Sequence, residues 1–316
     1  MLEFYPEGQL IDSFENKNYL KCLAGLAEAC ENKVILESKA IVCDSHHNLI
    51  VDLGCIKGII PREEGALGIR EGTVRDIAII SKVNRPVCFV ITGFKKNQHG
   101  EDVAVLSRRL AQEICVQNYI SSLVPGDIIP AKVTHMENFG VFADIGCGVI
   151  SFLPIDTISV SRISHPCERF FVGMDIKVVV KCVEENRVHL SHKELLGTWQ
   201  ENADKFSIGE TVSGIIRSVE NYGVFVELSP NLAGLAEPRE DVRIGQQASV
   251  YIKNIVPEKM KVKLVIIDVF ERANNCLGVE YFCGKNHIDN FVYSPPTSQR
   301  VIETNFAELV NAYNKT

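Results

Sequence analysis

Two stretches of the chain, 127–145 and 211–228, are rich in Val, Ile, Thr and aromatic residues with polar groups set between them, and a glycine (Gly140, Gly223) interrupts each. This pattern predicts two β-strands per stretch. Downstream of each stretch comes a pair of β-like runs parted by a polar turn. These are 176–183 and 187–191 around Glu184-Glu185-Asn186, and 248–256 and 260–268 around Pro257-Glu258-Lys259. A single helical turn fits 165–170. Five short strands in about 70 residues predict a small closed barrel of the OB type. Elsewhere Tyr19, Leu20, Leu23, Leu26 and Ala27, spaced three to four apart, predict one amphipathic helix over 16–31. Its expected task is to cap a barrel with its apolar face. Helical connectors are predicted at 111–123 and 193–206, and the single tryptophan, Trp199, is expected to anchor the second against a neighbouring barrel.

The predicted barrels are copies of one unit. Glu137-Asn138-Phe139-Gly140-Val141-Phe142 returns as Glu220-Asn221-Tyr222-Gly223-Val224-Phe225, at an offset of 83 residues that also aligns Gly126-Asp127 with Gly209-Glu210. Such a repeat fixes the structural unit before any residue receives a role. Gly-Asp, a β-run into aromatic-Gly-Val-Phe, then Ser164-His165-Pro166, Val172-Gly173 and Val188-His189-Leu190-Ser191 together resemble the S1-type RNA-binding domain of the bacterial small-subunit ribosomal protein S1 family. The copy at 209–268 passes from Pro238 directly to Val242 and Gly245, without the loop of its predecessor. A more altered upstream copy is marked by Val51-Asp52-Leu53-Gly54, Gly58-Ile59-Ile60-Pro61-Arg62-Glu63-Glu64 and Leu106-Ser107-Arg108-Arg109. The resemblance implies a mainly β chain of three consecutive five-stranded OB-fold barrels, the first degenerate, joined by short helical connectors. The expected organisation is an acidic helical segment (1–32), the degenerate barrel (33–112), a connector (113–125), an RNA-binding barrel (126–193), a connector (194–208), an RNA-binding barrel with a shortened loop (209–270) and an aromatic extension (271–316).

Charge complicates this expectation. The 316-residue chain carries a net charge of -7, the wrong sign for a protein whose affinity would come from Lys and Arg displacing counterions from phosphate. Six acids against two lysines place -4 of it in residues 1–32, which reads as an acidic tail beside nearly balanced repeats. Binding is then expected to lean on stacking. Eleven scattered cysteines without a CxxC pair point to buried thiols in a reducing compartment. No apolar run approaches the roughly 20 residues of a membrane span, and 1–9 lacks the basic start of a signal peptide. A cytoplasmic protein without membrane contact is expected.

The predicted binding chemistry lies in the rings. Phe139 with Phe142, and Tyr222 with Phe225, would stand on opposite strand faces by simple alternation, but a glycine-supported bulge can re-aim one of them so that both stack on bases. Around them the resemblance places cations and donors: Arg187 and His189 matching Lys261 and Lys263, Arg162 and His165 flanking the helical turn, and Arg217 in the first strand of the last repeat. The family's third-strand histidine is missing from Ser151-Phe152-Leu153-Pro154 and from Gly234-Leu235-Ala236-Glu237. No Phe, Tyr or Trp falls between Val34 and Cys88, so the first barrel is expected to dock to protein, as the family's leading repeats do on the small ribosomal subunit. The partner expected for the other two is single-stranded RNA, messenger RNA above all. His46-His47, or Cys276 with Cys283 and His287, do not match zinc spacings, and P-loop, HExxH and GxSxG motifs are absent. Neither enzyme, metal nor cofactor is expected. The alternatives are a non-ribosomal RNA regulator, an RNA-decay cofactor, or an interaction scaffold with weakened RNA affinity.

Overall fold

A computed structural model describes residues 4–97, 100–184, 187–271 and 279–313, with the side chains of 310–313 left aside. The turn residues Glu185 and Asn186, and Cys276, lie outside the described residues. The chain divides into two compact units: one holds residues up to Leu123 with 130–132 and 144–150, the other 124–129, 133–143 and everything from Ser151 on.

Three closed five-stranded barrels make up most of the molecule, as the repeat and the family resemblance together imply. The first is built from β1 (Leu36–Cys43), β2 (Leu49–Asp52), β3 (Lys57–Ile60), β4 (Pro86–Lys96) and β5 (Asp102–Ser107), in the order β1-β2-β3-β5-β4. The second uses β6 (Ile128–Glu137), β7 (Gly140–Asp144), β8 (Ile150–Pro154), β9 (Asp175–Glu184) and β10 (Arg187–Ser191), in the order β10-β8-β7-β6-β9. The third uses β11 (Thr211–Glu220), β12 (Gly223–Ser229), β13 (Leu232–Ala236), β14 (Gln247–Val256) and β15 (Lys261–Phe270), in the order β11-β12-β13-β15-β14. Alternation explains each core. In β15, for example, Val262 and Leu264 point inward while Lys261, Lys263 and Val265 point out.

The helices differ from the periodicity reading in an instructive way. Residues 16–31 form two helices, α1 (Phe14–Leu20) and α2 (Leu23–Glu31), because Cys22 takes an extended conformation between them. They pack closely: a Cβ on Gly25 would fall 2.5 Å from the Tyr19 carbonyl oxygen. Leu26 and Ala29 enter the first barrel's core, whereas Ala27 and Leu23 face solvent. The capping role holds with a different buried face. Glu7 is not a solvated tail charge either. Burial would raise its pKa, but Arg108 (2.6 and 3.1 Å) and Lys82 (2.6 Å) outweigh that cost and hold its carboxyl at about 2.

Short helices α3 (Ile77–Ile80), α4 (Arg108–Asn118) and α5 (Trp199–Ala203) follow, and the last seats Trp199 in the third barrel's core. The chain closes with β16 (Asn290–Val292), β17 (Glu303–Asn305) and α6 (Phe306–Tyr313). This aromatic extension is a strap across barrels two and three. Ile128 N–H donates to Asn286 and Ile288 N–H to Gly126, Phe306 is fully buried with Val179 and Leu195, and Tyr293 donates its hydroxyl proton to the Asn231 carbonyl at 2.6 Å. Among the described residues, no helix is long and apolar enough to cross a membrane.

Candidate nucleic-acid interface

Strand register places three outward side chains in one cross-strand row on every barrel. In the third, Phe225 pairs with Leu235, and Leu235 with Lys263. In the second, Phe152 pairs with His189, and the Phe142 ring lies 5.3 Å from that of Phe152. In the first, Ile50 pairs with Ile59, and Ile59 with Val105. His189 and Lys263 therefore occupy the same place, as the sequence alignment expects. The equivalent place in the first barrel is aliphatic, and the row carries neither a ring nor a charge.

The second ring of each pair reaches the face by another route than a bulge at the glycine. Phe139 and Tyr222 sit in the two-residue turns before β7 and β12, where strand alternation does not apply, and are 57% and 66% exposed. Their rings meet those of Phe142 and Phe225 edge-on, at 6.3 and 6.1 Å. The glycines serve the approach of the neighbouring strand. A Cβ on Gly140 would stand 2.4 Å from the Leu153 carbonyl and 2.7 Å from the Phe152 ring, and one on Gly223 2.5 Å from the Ala236 carbonyl. In the third barrel, the bulge lies in β11, between Ile216 and Ser218.

That bulge overturns one expected contact. Arg217 is the extra residue and is turned inward, where Nε meets Glu227 Oε2 at 2.7 Å and Nη1 pairs with Glu168. Arg169 reaches the same Glu227 oxygen at 2.6 Å. Two guanidiniums and two carboxylates thus neutralise one another where barrels two and three meet. Arg217 offers no cation to a phosphate.

Arg162 is exposed and His165 half-buried, both in the segment between β8 and β9. His165 Nδ1 accepts from the Cys167 N–H at 3.0 Å, while Glu168 accepts from the N–H groups of Ser164 and His165, a reciprocal cap on a 3-10 turn. Among the described residues, no hydrogen bond, ion pair or ring contact joins Arg162 or His165 to the ring cluster. Arg187 is exposed, Lys261 and Lys263 are exposed, and His189 lies 3.9 Å from Glu184. Sequence reasoning missed two rings. Phe152 packs 5.7 Å from Phe139, and His135 stacks on Phe142 at 6.1 Å, giving the second barrel a four-ring surface. The repeat gave no signal for them, since Ser218 and Leu235 stand in those places in the third barrel. Among the described residues, no group of three or more His, Cys, Asp or Glu side chains could hold a metal ion.

Comparison with known proteins bears on the family rather than on these side chains. Residues 123–193 match the S1 RNA binding domain family. Small ribosomal subunit protein bS1 of Staphylococcus epidermidis is 32% identical over 188 residues, 54% of this chain and 48% of that protein. The bS1 of Staphylococcus aureus is 28% identical over 264 residues, 78% of this chain and 64% of that protein. This chain thus spans about half to two thirds of the length of such relatives. Among solved structures, a multidomain protein with nucleic acid binding domains from Streptococcus pneumoniae aligns at 13% identity and a TM-score of 0.24, over 74% of this chain and 73% of that one. Residues 123–193 thus match the S1 RNA binding domain family, and the chain is similar in sequence to small ribosomal subunit protein bS1 over part of that protein's length.

Proposed function

We propose that the chain binds single-stranded RNA through barrels two and three and acts in translation as a ribosomal protein S1-like factor in the cytoplasm, with no catalytic step of its own. The observation that carries this reading is the repeated cross-strand row with an exposed turn ring beside it: Phe142-Phe152-His189 with Phe139, and Phe225-Leu235-Lys263 with Tyr222. A ring stacks on any base for about 1 to 3 kcal/mol, which suits a chain of net charge -7 that has few cations to spend on phosphate.

The same row in the first barrel is Ile50-Ile59-Val105, a surface that can desolvate against protein but cannot stack a base. That supports docking of the first barrel to the small ribosomal subunit, with messenger RNA held by the other two. Anisotropy titration of the intact chain with a labelled single-stranded oligonucleotide tests the binding. Phe139→Ala with Tyr222→Ala should weaken affinity by about 1 to 3 kcal/mol per stacked base without lowering the urea midpoint. Unchanged affinity rejects the ring surface. Sedimentation of a lysate tests the docking: travel with the small subunit supports it, and a free protein points to an RNA regulator off the ribosome.

A further inference from the structure

The C-terminal strap does more than cover a seam. Between Tyr293 and Ile302 it forms a loop whose ends are tied together, Tyr293 N–H donating to the Ile302 carbonyl and Ile302 N–H to Ser294 Oγ, with Arg300 held by reciprocal bonds to Ser298. Opposite stand Lys259 in the β14–β15 turn and Lys261 at the start of β15. A cleft of about 590 Å³ lies between them, with Trp199 and Tyr293 in its lining, a volume in the range that holds small ligands.

The charge of this cleft is opposite to that of the chain. Lys259, Lys261 and Arg300 face one carboxylate, Glu258, and none of the three cations has an ion-pair partner among the described residues. Register continues the barrel face into it. Lys261 and Ala233 each lie two residues before Lys263 and Leu235, which pair in parallel, so both point outward one step along the same strands. Ala233 is small and leaves the entrance open.

We propose that this cleft is a nucleotide subsite, in which Lys259, Lys261 and Arg300 take the phosphates of a strand that has crossed Phe225 and Lys263. The inference rests on the RNA-binding reading above, and it makes the strap part of the binding surface.

The test uses the intact chain with single-stranded oligonucleotides of about 16 and about 5 nucleotides, lengths that bracket what one OB barrel covers. Lys259→Glu with Arg300→Glu should lower affinity for the longer oligonucleotide by about tenfold. The slope of log affinity against log salt should become shallower by roughly 1.4, at about 0.7 per lost phosphate. Affinity for the shorter one should change much less, and Arg300→Lys should retain binding. Lys21→Glu, an exposed change in the other unit, should have little effect. An equal loss with Lys21→Glu reduces the result to bulk charge and overturns the subsite. Unchanged affinity and slope in the double variant, while Phe225→Ala still weakens binding, overturns the subsite and leaves the ring surface standing. Failure of the intact chain to bind RNA at all overturns both.

Discussion

Phe152 shows how a side chain can be visible in a sequence and still be passed over. It falls in the stretch Ser151-Phe152-Leu153-Pro154, where a histidine donor was sought, yet its ring meets those of Phe139 and Phe142 at 5.7 and 5.3 Å. Phe139, Phe142, Tyr222 and Phe225 were legible because the repeat marks them. Phe152 is a cross-strand neighbour, and that relation depends on register. Arg217 fails for the same reason: its partners Glu227 and Glu168 lie on other elements, and only the bulge turns it toward them. His192 is a buried histidine that no sequence pattern flagged. Burial lowers its pKa to about 4, against the favourable bond of Nδ1–H to the Ile158 carbonyl, and nearby Arg169 pushes the same way as burial. The unfolded chain therefore takes up that proton first as pH falls. The contribution is fully present above about pH 6.5 and is lost as pH falls toward 4, by about 3 kcal/mol in all. Urea midpoints at about pH 7 and pH 5 should differ less in His192→Gln than in the parent chain; an equal drop in both would assign the acid sensitivity to other groups.

Among the elements, the strands of barrels two and three were legible because alternation and the repeat agree, whereas the first barrel was marked by the family resemblance alone. The amphipathic period over 16–31 concealed a break, since α1 and α2 share a continuous apolar spacing while Cys22 is extended. Helical periodicity measures spacing and is blind to one residue leaving the helix. The glycines before Val141 and Val224 mark β-strand crowding. Gly140→Ala brings a methyl against the Leu153 carbonyl and the Phe152 ring at 2.4 and 2.7 Å. It should cost about 2 kcal/mol of stability and weaken RNA binding together, because relief requires moving a ring of the proposed binding surface. Thermal melting paired with RNA titration checks this, and a variant that keeps both properties would show that the strand yields without disturbing Phe152.

For the molecule, the feature with most consequence is the junction of barrels two and three. Removing one guanidinium from its buried ion cluster, by Arg217→Met, should cost about 3 kcal/mol while leaving the salt slope of RNA binding unchanged, since Arg217 does not face solvent. A shallower slope with unchanged stability would return Arg217 to the binding surface. The parent slope itself should be shallow, on the order of -2 to -4 at about 0.7 per phosphate; a steep one would reveal a cationic groove beyond Arg162, Arg187, Lys259, Lys261, Lys263 and Arg300. Such organisation was hard to read from sequence, because charges that look solvated when counted along the chain are spent on one another across it. The strap adds a constraint of time. Phe306, which seals Val179 and Leu195, and Tyr293, which holds Asn231, follow both barrels in the chain. Domains fold as they leave the ribosome, N-terminal first. Each barrel can thus close during synthesis, but their fixed junction is completed last, so the nascent protein passes through a stage in which the two barrels proposed to bind RNA are finished and still free to move against each other.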